Sequence, residues 1–159
     1  AGLGAFTEYS VSGAQKWFFK AYQSSGYANA SGYANSQSNA NEDWLISPAM
    51  DLTKRTAAVL VFEHTINKGD TANLKTNHTL WISTDYTTGN DPATATWTQV
   101  PITTYPAGYN WTFVWTGDIP LPASVMGQSN VRFAFKYLCS DTESATWEIR
   151  NLSVMEPQE

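Results

Sequence analysis

Tyr105, Tyr109 and Trp111 cluster around the turn Pro106-Ala107-Gly108, with Asn110 among them. Sugar rings stack their C–H faces on Trp and Tyr while a neighbouring amide answers hydroxyl groups, so these four residues form a candidate loop-end platform for a glycan. Tyr27 and Tyr33 form a second candidate. Gly26-Tyr27-Ala28-Asn29-Ala30-Ser31 is echoed by Gly32-Tyr33-Ala34-Asn35-Ser36, and in an extended chain the even spacing puts both rings on one face. Packing competes with binding at these positions. Trp111, Phe113 and Trp115 share a parity that suits a core-facing strand, and Trp115 is the more strongly assigned to the core. Trp17, Trp44, Trp81 and Trp147 read as core residues.

Catalytic groups are sparse. A glycosidase needs two facing carboxylates at a controlled separation, whereas Glu63 and Glu148 fall in different expected strands and Asp141 and Glu143 in a loop. Solvated or ion-paired carboxylates are the preferred reading over a hydrolase site. His64 and His78 lack a neighbouring ligand motif and read as ordinary hydrogen-bonding residues. Cys139 is the only cysteine, which excludes an internal disulfide and a thiolate metal site; it reads as a small buried hydrophobe. No serine occupies a nucleophile elbow, and no glycine loop is built for phosphate. No catalytic residue, metal or cofactor is expected.

The elements that must carry these residues are strands. Seven Trp, eight Tyr and seven Phe in 159 residues support a packed chain, and abundant Thr, Ser, Asn and Gly separate short apolar runs. Strand signals cover 57–64, 78–84, 96–100, 111–116, 131–138 and 146–154, with almost no helical periodicity. Val131, Phe133, Phe135 and Tyr137 share one parity and Arg132 and Lys136 the other, so one face is core and one wet. In the last strand Trp147 and Ile149 have one parity and Leu152 and Val154 the opposite one. That switch predicts a bulge at Arg150 and Asn151. The expected organisation is one domain over 1–155 with a tail at 156–159.

The formal net charge is −5 and the nine Lys and Arg are scattered, which disfavours nucleic acid as a partner. No apolar run approaches the roughly 20 residues that span a bilayer, so no membrane insertion is expected of this chain. Beginning at Ala1, it reads as a processed or excised domain. Oligomeric state is not legible.

Asn41-Glu42-Asp43-Trp44-Leu45-Ile46-Ser47-Pro48 followed by Asp51-Leu52, with Phe6-x-Glu8 and Trp17 upstream, and Ala145-Thr146-Trp147-Glu148-Ile149-Arg150-Asn151-Leu152-Ser153-Val154 near the far end, resembles the choice-of-anchor J and cleaved-adhesin domains. The resemblance continues through Leu80-Trp81-Ile82-Ser83-Thr84-Asp85, Trp97-Thr98 and Phe133-Ala134-Phe135-Lys136-Tyr137, and so spans nearly the whole chain. It implies an all-β, two-sheet antiparallel β-sandwich with jelly-roll topology, similar to galactose-binding-like modules of secreted or surface proteins in Bacteroidota-type bacteria. It also implies a structural calcium near the positions of Glu8 and Arg150-Asn151. Here Arg150 stands where a carboxylate is common, and a guanidinium repels a cation while pairing readily with a carboxylate. The expectation is therefore no metal there and a structural Glu8–Arg150 ion pair.

Together these readings point to a noncatalytic extracellular or cell-surface binding module within a larger exported protein. Its expected partner is a glycan. The alternative is a structural or adhesin-type module that binds a surface protein, with a glycoside hydrolase behind both.

Overall fold

The structure, a computed structural model, describes residues 2–157. In chain order the strands are β1 (Thr7–Ser12), β2 (Phe18–Tyr22), β3 (Ser25–Ser31), β4 (Tyr33–Ala34), β5 (Gln37–Ser38), β6 (Asn41–Ile46) and β7 (Val59–Asn67). They continue with β8 (His78–Ser83), β9 (Thr98–Val100), β10 (Val114–Trp115), β11 (Ile119–Pro120), β12 (Arg132–Cys139) and β13 (Thr146–Met155). One sheet has the order β1-β6-β12-β8-β9, and the other β10-β7-β13-β3-β2, with β11 also on β7. The pairings are antiparallel, and the two sheets form a jelly-roll β-sandwich. Strand β2, which the sequence signals pass over, is the outer strand of the second sheet.

Period-two alternation selects the core. On β12, Phe133, Phe135 and Tyr137 are buried between the sheets, against Trp17, Phe62 and Trp147. Trp147 lies at the centre, its ring 5.5 Å from Trp17, 5.7 Å from Phe135 and 5.1 Å from His78.

The opposite face of β12 is not simply wet. Ala134 is buried with Trp44, Ile46 and Tyr86 in a second apolar cluster, onto which Trp81 and Trp97 pack. The chain between β8 and β9 supplies Tyr86 and Trp97, so a loop covers a face that alternation alone assigns to water. Lys136 nonetheless keeps its charge over aromatic faces, with Nζ 5.6 Å from the Trp44 ring and 5.5 Å from Trp81.

The bulge in β13 is present. Register passes from Arg150↔Glu63 to Ser153↔Val61, giving β13 one extra residue, and Asn151 has φ 53°. Leu152 thereby packs against the core from the opposite parity to Trp147. Beyond the strand, Glu156 accepts a hydrogen bond from Arg55; Gln158 and Glu159 of the expected tail lie outside the described residues.

Candidate functional site

The outward face of the second sheet is where the exposed aromatics gather. Alternation on β2 turns Phe18, Lys20 and Tyr22 away from the core. Register sets Phe18 and Glu148 on either side of Asn29, and Lys20 opposite Tyr27. A depression of about 990 Å³ runs over this face, lined by Phe18, Lys20, Asn29, Tyr33, Lys68 and Trp111 among others. A second of about 550 Å³ adjoins it, lined by Tyr22, Tyr27, Phe113, Glu148 and Arg150. Lys20 and Trp111 line both. They form the saddle of one long groove.

Trp111 is held there by its loop. His64 Nε2–H donates to Thr104 O at 2.8 Å, Gly69 N–H to Gly108 O at 3.3 Å and Thr65 Oγ–H to Asn110 O at 3.2 Å. Gly108 has φ +96°, and a Cβ on it would meet Leu74 Cδ1 at 2.9 Å, so only glycine fits the turn. A loop anchored at several backbone points presents its aromatic with little ordering entropy left to lose on binding.

The six residues expected to bind ligand divide accordingly. Trp111 is 49% exposed in the groove and Tyr33 lies on its rim. Trp115 is 53% exposed, which overturns its assignment to the core. Common parity put Trp111, Phe113 and Trp115 on one face, and that face is the outer one. Tyr27 is only 8% exposed: it packs on Phe113 at 6.2 Å and forms floor rather than platform. It does not pair with Tyr33, because the chain turns after β3 and Tyr33 belongs to the separate β4–β5 hairpin. Tyr105 is structural, its hydroxyl donating to His78 O at 2.6 Å and its ring lying beside His64. Tyr109 is exposed but lines neither depression. Asn110 fastens the loop, its Oδ1 accepting from Thr112 N–H at 3.0 Å. Phe18, Lys20 and Tyr22 carry no sequence motif, and Asn29 is marked only as part of the Gly26–Ser31 repeat; the pairing of β2 with β3 brings them to the same face as Trp111.

The Glu8–Arg150 ion pair does not form. Glu8 lies on β1 in the first sheet and meets Lys16 at 3.5 Å. Arg150 lies on β13 in the second sheet, where register puts Glu63 opposite it. Arg150 Nε donates to Glu63 Oε2 at 3.0 Å and its Nη1 to Ser25 Oγ at 2.9 Å, while the guanidinium carbon sits 3.7 Å from the Phe113 ring centre. Asn151 Nδ2 donates to the same Glu63 oxygen at 2.6 Å.

Glu63 and Glu148 do share this face, but each is engaged. Glu63 is held by Arg150 and Asn151. Glu148 is almost fully buried, and burial raises its pKa while Lys20 and the Tyr27 hydroxyl pull it back down. Glu143 accepts from Asp70 N–H at 2.7 Å. Cys139 is half-buried, its thiol pushed up by burial and donating to Asn39 O at 3.1 Å.

No protein-family model and no curated protein matches the chain. Solved structures do. The K1 cleaved adhesin domain of Lys-gingipain from Porphyromonas gingivalis W83 superposes with a TM-score of 0.58 at 17% identity, over 98% of this chain and 92% of that one. The K3 cleaved adhesin domain of the same protein gives 0.57 at 14%, over 98% and 94%. A family 11 carbohydrate-binding module from Clostridium thermocellum, in complex with a β-1,3-1,4-mixed-linked tetrasaccharide, gives 0.53 at 10%, over 98% and 91%. These are likenesses of fold.

Proposed function

We propose that residues 1–155 form one noncatalytic domain that binds glycan in the groove over the outer face of the second sheet, as part of an exported, extracellular or cell-surface protein. The observation that carries this reading is Trp111, half-exposed on an anchored loop at the saddle of the groove. An indole face offers a sugar ring apolar C–H contact, and the amides and hydroxyls of Asn29, Ser31 and Ser144 line the same depression. The open shape suits a chain that passes through rather than a small molecule that is enclosed. The likeness to a carbohydrate-binding module crystallised with a tetrasaccharide supports the reading.

A glycan array followed by calorimetry on the folded domain tests it. Trp111→Ala should weaken the best ligand at least about tenfold, as expected for an aromatic anchor, with the melting temperature unchanged. A folded domain that binds no glycan on the array would defeat the reading. Binding that survives Trp111→Ala would move the site elsewhere.

A further inference from the structure

The charge of the groove narrows the class of glycan. The chain carries a net charge of −5, yet the larger depression is lined by three ammonium groups, Lys16, Lys20 and Lys68, against one carboxylate, Glu143. Glu143 already accepts the Asp70 N–H, and the adjoining depression adds Arg150 and the buried Glu148, which Lys20 faces. Among the described residues Lys16 meets Glu8 at 3.5 Å, whereas Lys20 and Lys68 form no salt bridge. Lys68 stands in the left-handed region at φ 61°, with its N–H bonded to Asn67 Oδ1 at 2.8 Å. A non-glycine residue is uncommon there, and the turn brings this lysine to the groove wall. Like charges gathered in a concave site repel one another and raise the local concentration of anions.

A neutral polar group stands with the lysines. Asn29 is 2% exposed and lines the same depression, and its Oδ1 has no hydrogen-bond partner among the described residues. A buried acceptor left unmatched is costly, and its amide lies in the groove wall beside Lys20 and Lys68.

We propose that the groove takes an anionic glycan, one whose sugar rings carry carboxylate or sulfate groups. A ring stacks on Trp111 and its anionic substituent faces Lys20 and Lys68. Lys20 lines both depressions and Trp111 does too, so one sugar unit at the saddle meets the aromatic face and the cation together. The inference rests on the glycan-binding reading and adds the charge of the ligand to it.

Matched polymers separate the two. Calorimetry on the folded domain would compare polygalacturonate with its methyl ester, which tests carboxylate, and dextran sulfate with dextran, which tests sulfate. At least one charged member should bind about tenfold or more tightly than its neutral partner, and weaken as salt rises from about 0.05 to about 0.5 M. The double variant Lys20→Gln/Lys68→Gln should lose about tenfold for that charged member, at an unchanged melting temperature. Equal affinity within both pairs, or binding only to neutral glycans on the array, overturns the anionic inference and leaves the glycan reading standing. A domain that binds none of the four polymers and nothing on the array overturns both. Oligothymidylate bound as tightly as the best acidic glycan, with the same dependence on Lys20 and Lys68, would show a general polyanion surface and overturn the inference.

Discussion

The indole N–H of Trp147 donates to Nδ1 of His64 at 3.1 Å between the two sheets. Nε2 of the same imidazole donates to Thr104 O. The ring therefore carries its proton on Nε2 and links the core to the loop that holds Trp111. Trp147→Ala should destabilise by about 3–5 kcal/mol, the usual cost of emptying a large buried site. Trp147→Phe should cost less while leaving His64 Nδ1 unpaired. A melting curve unchanged by the alanine variant would show that Trp147 is not a core residue.

Acid should unfold the domain through its histidines. Burial holds both His64 and His78 neutral, with pKa values lowered to about 4 from the usual 6.5. The unfolded chain takes up these protons below about pH 6.5, whereas the folded one resists until about pH 4. Stability is thus complete above pH 6.5 and lost as pH falls toward 4, by about 3 kcal/mol for each histidine. Urea titrations of the Asp43→Asn variant between pH 7.5 and 4, free of the opposing Asp43 carboxylate, should show this decline, and a flat profile there would contradict it.

Asp43 works in the opposite direction. Its carboxylate is buried between the sheets, and neither oxygen has a partner among the described residues. The Ser10 hydroxyl opposite it is engaged by the carbonyls of Ser12 and Gly13. Burial raises the pKa to about 7 from 3.8. This group's contribution to stability is complete below about pH 3.8 and lost as pH rises through 7. Asp43→Asn should therefore gain stability over the parent by about 2–4 kcal/mol above pH 7 and little near pH 4. Parallel melts at pH 4 and 8 check it; a variant equally or less stable at pH 8 would refute the buried, unpaired carboxylate.

The observed partners of Glu63 and Glu8 make contrasting predictions. Glu63→Ala leaves a half-buried guanidinium without its acceptor and should cost about 1–3 kcal/mol, largely removed when Arg150 is replaced by Met as well. Glu8→Ala breaks an exposed pair with Lys16 and should stay within about 0.5 kcal/mol. Denaturant melts of Glu8→Ala, Glu63→Ala, Arg150→Met and the Glu63→Ala/Arg150→Met double mutant measure the coupling. Equal losses from Glu8→Ala and Glu63→Ala would restore the rejected pair.

Calcium should have little effect at this end of the fold. Among the described residues no three His, Cys, Asp or Glu side chains converge, and Arg150 already fills the space by Glu63 and Ser25. Chelator should leave the melting temperature unchanged. A saturable rise on adding calcium, lost in Glu8→Ala, would reveal an ion-binding site.

Alternation along 131–137 was enough to assign Phe133, Phe135 and Tyr137 to the core, because a strand turns successive side chains to opposite faces whatever it pairs with. The bulge was legible for the same reason: a switch of parity between Ile149 and Leu152 needs an extra residue. Parity says which residues share a face but not which side that face meets. Trp115 therefore looked like core and is exposed, and the parity it shares with Trp111 left open whether Trp111 packs or binds, while Ala134 looked exposed and lies with Trp44 and Tyr86. Partners across sheets were still less accessible. Glu8 and Glu63 are both carboxylates within reach of an imagined Arg150, and only strand order, set by how the two sheets close on Trp147, puts Glu63 beside it. The groove depends on tertiary structure in the same way: Lys20, Asn29, Lys68 and Trp111 come from four separate stretches of chain, and no local propensity links them until β2, β3, β7 and the 101–113 loop are brought over one sheet.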